Sequence, residues 1–361
     1  MDDLLKAFKE EDSKGRRYKE ARIKKSPFFR DFLRIIESKA YRRLDKKTQA
    51  FSLPDHPYIR TRASHTNEVL ATTARISEAL GLNTELCLAI AAGHDIGHAP
   101  FGHVGERMLT KIGQKRIEKE KLTEEDKGKK IFDHATYGVV IAQEIENRGD
   151  GLNLNYEVLE GMLMHSRGAG ELYLDLSKPA EYSALTLADK ISYVCGDYSD
   201  ANRCGHFPKQ DYPELVEKIN KYLGNETKER RYACIAALTE ESKKKGHISF
   251  SEGPVYETFE ELRGKLYQEV YKKINVKMHE DTIYELYKFL SQNKEFRKDY
   301  NGFDPLMFIS LLTDQEVTQY GHLLFKSKNI ELKDIQNFGA FEQMPELINK
   351  KIEYWNPGLD W

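Results

Sequence analysis

The chain is poor in cysteine, holds no long apolar run and carries almost no net charge, and each shortage excludes something. Four cysteines among 361 residues, Cys87, Cys195, Cys204 and Cys234, stand singly without Cys-x-x-Cys spacing. That spacing excludes a zinc ribbon or a disulfide-stapled scaffold and predicts reduced thiols. No stretch approaches the ~20 apolar residues of a membrane helix, and the first thirty residues are too charged for a secretory signal. A soluble, cytoplasmic protein with no membrane partner is therefore expected. The 56 Lys and Arg residues against 58 Asp and Glu leave a formal charge of -2. No global field draws in nucleic acid or lipid, although a local basic pocket for an anionic ligand stays open. Strand-like alternation is confined to Gly246-His-Ile-Ser-Phe-Ser251, and there is no fixed-period repeat and no long Gly/Ser or Pro linker.

What remains is helical. With 40% hydrophobic and 11% aromatic residues the chain can bury a large core. Apolar positions from Phe28 to Ile36 recur at helical intervals. Ser64 is a candidate cap for a helix whose face carries His65, Val69, Thr72, Ile76 and Leu80 before Gly81 stops it. Thr84 is a candidate cap for a helix running to Ile96. Residues 111–130 are almost all charge and predict a solvated extension or insertion. Further helices are expected from Phe132-Asp-His134, over Glu157 to His165, and over Ser183 to Asp197, where Asp189, Tyr193 and Asp197 share one face. Beyond 208 the periodicity continues over Leu215–Leu223, Tyr232–Lys243, Val255–Ile274, Thr282–Leu290 and Leu306–Phe325. The fold class predicted is all-α, with at most a minor β element. It divides into an N-terminal surface arm over 1–26, a core over 27–205 and a C-terminal helical extension over 206–361 packed on that core.

The stretch Gly93-His-Asp-Ile-Gly-His-Ala-Pro-Phe-Gly-His-Val-Gly-Glu106 packs three histidines, an aspartate and a glutamate into fourteen residues. Groups that dense are rarely structural. His94 lies on the inward stripe of its helix, Asp95 and His98 follow within a turn, Pro100 breaks the helix, and His103 and Glu106 stand at i and i+3. His65, the pair His94 and Asp95, and Asp189 face inward from three separate helices. Two imidazoles and two carboxylates suit Mn²⁺, Fe²⁺ or Mg²⁺ with open water positions better than a closed thiolate zinc site. Open positions imply catalysis: a metal there can clamp a phosphoryl oxygen and activate water. His98, His103, Glu106 and His134 are available to move protons. A single histidine on an apolar face is more simply a hydrogen-bonded core residue. That reading holds for His56, His206, His247, His279 and His322, and stands level with a functional one for His134 and His165.

The order His65, Gly93-His94-Asp95-Ile-Gly-His98-Ala-Pro-Phe-Gly-His103-Val-Gly-Glu106, then Asp189, resembles the HD-domain metal phosphohydrolases, and within them the deoxynucleoside triphosphate triphosphohydrolase (dGTPase-like) branch. Further matching blocks are Ser38-Lys-Ala-Tyr-Arg-Arg-Leu-Asp-Lys-Lys-Thr-Gln-Ala-Phe51, Arg60-Thr-Arg-Ala-Ser-His-Thr-Asn-Glu-Val69, Phe132-Asp-His134 and Ala188-Asp-Lys-Ile-Ser-Tyr-Val-Cys-Gly-Asp197. A bare His-Asp pair is not specific, whereas the Pro-Phe-Gly-His-x-Gly-Glu extension is specific to the branch. Leu311-Leu-Thr-Asp314 is a fainter echo. The resemblance implies an HD-domain helical bundle in which His65, His94, Asp95 and Asp189 bind a divalent metal, Mn²⁺ or Mg²⁺ first and Fe²⁺ or Co²⁺ as alternatives. It implies that His103 and Glu106 form the dyad acting on the attacking water or leaving oxygen, with His98 and His134 near the phosphates. By the same carry-over Arg62 contacts phosphate, Gln49 and Asp197 meet the sugar, and Tyr193 packs where a ribose 2′-hydroxyl would clash.

The activity so implied is hydrolysis of deoxynucleoside triphosphates to deoxynucleoside and inorganic tripolyphosphate, in control of the nucleotide pool. A homo-oligomer, tetramer or hexamer, is implied too, with an allosteric nucleotide or single-stranded DNA as a further partner. Another HD phosphohydrolase acting on a monophosphate, cyclic nucleotide or alarmone stays open. So does a nucleotide- or nucleic-acid-binding regulator with a vestigial metal site. Two departures from the branch stand out: Met164 occupies a position where several relatives carry a phosphate-binding lysine, and the charged 111–130 stretch is not a hallmark.

Overall fold

Capping chemistry sets where the helices start. In the computed structural model, which describes residues 5–21, 25–51, 56–120, 132–166, 174–272, 276–300, 303–327, 329–342, 352 and 356–361, α1 (Pro27–Glu37) opens on a proline and α2 (Lys39–Arg43) is capped by Ser38. Helix α3 (Arg62–Leu80) starts from Thr61, not Ser64. Thr61 accepts the Ser64 N–H while the Ser64 hydroxyl accepts the Thr61 N–H, so Ser64 is the third helical residue of a capping box. Helix α4 (Thr84–Gly93) is capped by Asn83, whose side-chain oxygen accepts the Leu86 N–H at 3.0 Å, and Thr84 is the first helical residue. It stops at Gly93 rather than Ile96, and residues 94–97 form turns.

The later elements are α5 (His103–Glu120), α6 (His134–Val140), α7 (Tyr156–Met164) and α8 (Ala180–Arg203). Then come α9 (Pro213–Tyr222), α10 (Thr227–Lys245), α11 (Gly253–Lys265) and a π-helical continuation over Leu266–Tyr271. The chain closes with α12 (Lys277–Gln292), α13 (Lys294–Asp299), α14 (Pro305–Leu311) and α15 (Asp314–Lys326). From 121 to 131 the charged stretch lies outside the described residues.

Helix α4 is the hub. Leu86, Cys87, Ala89, Ile90, Ala91, Ala92 and Gly93 are all buried, and a helix apolar on every side needs neighbours on every side. It has them in α1, α3, α7 and α8. The C-terminal helices join this bundle: α10 packs on α3 and α8, and α12 packs on α5, α14 and α15. Buried side chains from Leu5 to Phe341 form one continuous core.

Among the described residues no strand forms. In the segment expected to alternate, Ser249 is tied to Ser242 and Glu241, and both Glu241 oxygens accept the Ser251 N–H, so the backbone is held by a carboxylate instead of a partner strand. The expected surface arm is laced to the bundle where it is described. Phe8 donates to Glu181, Ser13 donates to Glu157, and the Arg16 guanidinium meets the buried Asp31 carboxylate at 2.6 Å, which also accepts twice from Asn155. Among the described residues no helix is long and apolar enough to cross a membrane.

Candidate active site

Three pieces of the bundle converge on one site. His65 sits in the first turn of α3, His94 and Asp95 follow α4 directly, and Asp189 comes from the middle of α8. His65 Nε2 lies 2.9 Å from Asp189 Oδ1, and His94 Nε2 lies 3.8 Å from the same oxygen. Asp95 completes the ring, with Oδ1 3.5 Å from His94 Nε2 and Oδ2 3.9 Å from His65 Nε2. The structure thus brings together all four residues expected to bind metal. His65, His94 and Asp95 are buried, and Asp189 is part-exposed.

The donor set fits a divalent cation. His94 Nδ1 donates to the Ala91 carbonyl at 2.7 Å, which turns its Nε2 lone pair inward, and that buried nitrogen has no hydrogen-bond partner among the described residues. A buried imidazole nitrogen facing two carboxylates could serve as a ligand to such an ion. His65, His94 and Asp189 offer atoms within 4.8 Å of one another; so do Asp95, His134 and His165, and His98, Glu106 and His134.

Charges around the ring are balanced by neighbours. Burial would raise the Asp95 pKa, but the Arg62 guanidinium, 2.8 Å from Oδ2, together with His94 and His98 holds it well below the usual carboxylate range. Burial likewise opposes ionisation of Asp189, and the His65 hydrogen bond outweighs it, so its pKa is lowered. For His65 burial pulls downward and Asp189 more than offsets it.

A second line of groups runs beside the first. His134, the first residue of α6, faces Glu106 Oε1 with Nδ1 at 3.0 Å and His165 Nε2 with its own Nε2 at 3.3 Å. His165 Nδ1 donates to the Met162 carbonyl, so its Nε2 can only accept, and His134 must donate from Nε2. The electrostatics agree. Burial lowers the His134 pKa but Glu106 outweighs it and leaves it raised, whereas burial and the charge on His134 push His165 down to about 4. Burial opposes ionisation of Glu106 too, yet His134 and His103 hold its pKa well below normal. The His98 ring stacks on His134 at 3.8 Å between centroids, with Nε2 3.1 Å from Asp95 Oδ1, and burial with the nearby Arg62 charge keeps it neutral. His103 is exposed, its Nδ1 3.3 Å from Glu106 Oε2. Glu106 therefore touches both His103 and His134, one at the solvent edge and one inside.

Backbone proximity shapes the turn that carries these groups. A Cβ on Gly97 would lie 2.1 Å from the His134 carbonyl oxygen, and one on Gly105 would lie 2.0 Å from that of Pro100. Phe101, with φ 58°, adopts the left-handed conformation without glycine's freedom, a strain of ~1–3 kcal/mol that its surroundings must hold. Its neighbour Gly102 sits where a Cβ would press on the Arg62 guanidinium at 2.8 Å.

A family model for the HD domain matches residues 62–194, the span from Arg62 through Asp189. Over 278 residues the chain is 36% identical to a deoxyguanosinetriphosphate triphosphohydrolase-like protein of Caldanaerobacter subterraneus subsp. tengcongensis, covering 76% of this chain and 74% of that one. A protein of the same description from Clostridium tetani is 32% identical, with 79% of each chain covered. The chain belongs to this family. A third such relative, from Desulfatibacillum aliphaticivorans, is 33% identical over 72% of this chain and 71% of its own length.

Outside the HD span, this dGTPase-like chain builds a further wall from residues that no local sequence signal marks. Tyr271, at the end of the π-helical continuation, donates to Asp197 Oδ2 at 2.6 Å, and Arg263 of α11 interacts with the Tyr193 hydroxyl. Burial pushes the Asp197 carboxyl up to about 6 despite the Tyr271 hydrogen bond, and its Oδ1 has no partner among the described residues. Gln49 presents a buried Oε1 that is also unpartnered among the described residues, while its carbonyl accepts from Arg62 at 3.4 Å. Lys190, next to Asp189, is part-buried, and burial lowers its pKa. Tyr271, Arg263 and Lys190 were not expected from the sequence, because helical periodicity alone does not say which later helix closes over α8. Met164, at the end of α7, stands one residue before His165.

Proposed function

We propose that this chain is a divalent-metal-dependent hydrolase of deoxynucleoside triphosphates that releases deoxynucleoside and inorganic tripolyphosphate. The observation that carries the reading is the meeting of His65, His94, Asp95 and Asp189 around the unpartnered His94 Nε2, with a buried arginine and a proton-bearing histidine alongside. Those four would hold the ion, which when bound supplies charge for a phosphoryl oxygen and lowers the pKa of water.

The remaining residues have separate tasks. Arg62, fixed against Asp95, presents guanidinium donors to a phosphate that bears several negative charges. In the reaction a water oxygen bonds to the α-phosphorus, the bond from phosphorus to the 5′-oxygen breaks, and that oxygen takes up a proton. Glu106, shared between His103 and His134, keeps one histidine ready to accept the proton of the water and the other ready to donate to the 5′-oxygen. His98, stacked on His134 with its Nε2 directed at Asp95, stands beside the phosphates and helps fix that carboxylate. Tyr193, backed by Arg263, forms the face against which a 2′-deoxy sugar packs, while the unpartnered oxygens of Gln49 and Asp197 bind its hydroxyl. The names of the relatives support nucleotide as substrate, and the resemblance supports a homo-oligomer.

The test is product analysis. The common dNTPs and rNTPs are incubated with Mn²⁺, Mg²⁺ or Co²⁺ and the products separated by chromatography. Deoxynucleoside with intact tripolyphosphate supports the proposal. Release of orthophosphate or pyrophosphate replaces it with another HD phosphohydrolase reaction, and ligand-dependent assembly without turnover replaces it with a regulator.

A further inference from the structure

A buried lysine and a part-buried aspartate staple three distant stretches of backbone behind the turn that carries His98 and leads into His103. Lys47, just after α2, donates from Nζ to the carbonyls of His98 and Ser310, the latter at 3.1 Å. Asp314, the first residue of α15, does the converse: Oδ1 accepts the Phe101 N–H at 2.7 Å and Oδ2 accepts the Thr48 N–H at 2.8 Å. Its carboxylate is turned away from its own helix, whose first turn is capped by Thr313 and Glu316. Behind it, the Phe101 ring stacks on His279 of α12 with centroids 4.0 Å apart and planes 16° from parallel.

The turn has little else to fix its shape. Pro100 has no N–H to offer, Phe101 and Gly102 both have positive φ, and the local backbone bonds are short-range turns from Gly102 to Ala99 and from Val104 to Phe101, with the helix-opening bond from Glu106 to Gly102. A left-handed non-glycine residue followed by another left-handed residue persists only where its surroundings over-determine it. Here the surroundings are side chains of α12 and α15, elements that supply none of the groups that touch the proposed metal or phosphates.

We propose that Asp314, with Lys47 and His279 beside it, is a positioning residue for catalysis. By holding Phe101 it sets where His98 and His103 stand, and by holding Thr48 it sets where Gln49 stands. The C-terminal helices therefore determine the geometry of a reaction whose groups all come from elsewhere in the chain. The inference rests on the proposed hydrolysis for its rate measurement, but not for its measurement of the turn itself.

The experiment compares full-length wild type with Asp314→Ala and Asp314→Asn, each loaded with Mn²⁺. Two charge-assisted hydrogen bonds are lost in the alanine variant, so kcat is expected to fall by about tenfold or more with KM changed within about threefold. The asparagine variant keeps one acceptor oxygen and should lie between. Bound Mn²⁺ per chain should match wild type, and amide exchange over residues 99–104 should speed up in the alanine variant. Wild-type kcat and wild-type exchange, accompanied only by a lower melting temperature, would overturn the proposal and leave Asp314 a purely structural residue. Loss of Mn²⁺ would overturn it as well, because the ligands would then have moved. If wild type hydrolyses no dNTP, the proposed function fails, and the exchange comparison alone decides: faster exchange supports the clamp, unchanged exchange refutes it.

Discussion

Lys47 offers a measurement whose sign is set before it is made. Its ammonium is buried, and its pKa is drawn down from the usual 10.5 to about 7, first by burial and then by the Arg43 guanidinium, against the opposing pull of Asp314 and Glu316. Between pH 7 and 10.5 the unfolded chain therefore binds a proton that the folded chain does not, so stability rises with pH across that window. Below pH 7 both states are protonated and the cost of burying the charge is constant. The slope is at most ~1.4 kcal/mol per pH unit, and the whole window is worth on the order of 4–5 kcal/mol. Lys47→Met removes this titration but leaves the His98 and Ser310 carbonyls without their donor, at ~1–3 kcal/mol each. Near pH 7 the relief and the loss roughly cancel; near pH 10 the variant should be several kcal/mol less stable than wild type. Urea unfolding at pH 7, 8, 9 and 10, taken as the difference between the two proteins, cancels the other lysines and tyrosines. A difference that stays flat over the whole range would mean that Lys47 keeps its charge in the folded protein, and the reasoning would be wrong.

Three further outcomes are expected. Asp189→Ala should lose the metal along with activity, while His103→Ala should keep the metal and lose ~10²–10⁴ in rate, as read by metal analysis beside kcat; equal metal loss in both would show the roles to be misassigned. Gly97→Ala drives a Cβ against the His134 carbonyl and the Gly138 backbone, so thermal unfolding should show destabilisation of several kcal/mol or no soluble protein, on the order of ~3 or more; a melting temperature equal to wild type would refute the packing described. Tyr271→Phe removes the hydrogen bond that restrains Asp197, whose pKa should climb further above 6, so a pH profile of KM should shift its acid limb upward. A profile identical to wild type would detach Asp197 from substrate binding.

The four expected ligands were legible because each lies on an apolar stripe or beside one, and an imidazole or carboxylate on a buried face betrays itself by periodicity. The helical class was legible for the same reason. Cap positions slipped by one residue at Thr84 and by three at Ser64, since the cap is whichever polar residue sits in extended backbone just outside the first turn, here Asn83 and Thr61, and the apolar stripe does not mark that boundary. The alternation of Gly246–Ser251 imitated a strand because hydroxyl groups bonded to Glu241 alternate just as outward-facing polar residues do. The contribution of Tyr271 had no local trace, and that of Asp314 only the faint echo in Leu311-Leu-Thr-Asp314, which does not say what its carboxylate holds. These two residues meet their partners across 74 and 213 residues, and only packing brings those stretches together.

Gly97 and Gly105 carry a consequence for anyone comparing this chain with others. A protein could retain every histidine of the central stretch and, with a larger residue at either place, be forced to re-route the loop that aims them. For judging whether a distant sequence has inherited this pocket, two hydrogens where side chains would otherwise be are as informative as the metal-binding groups themselves.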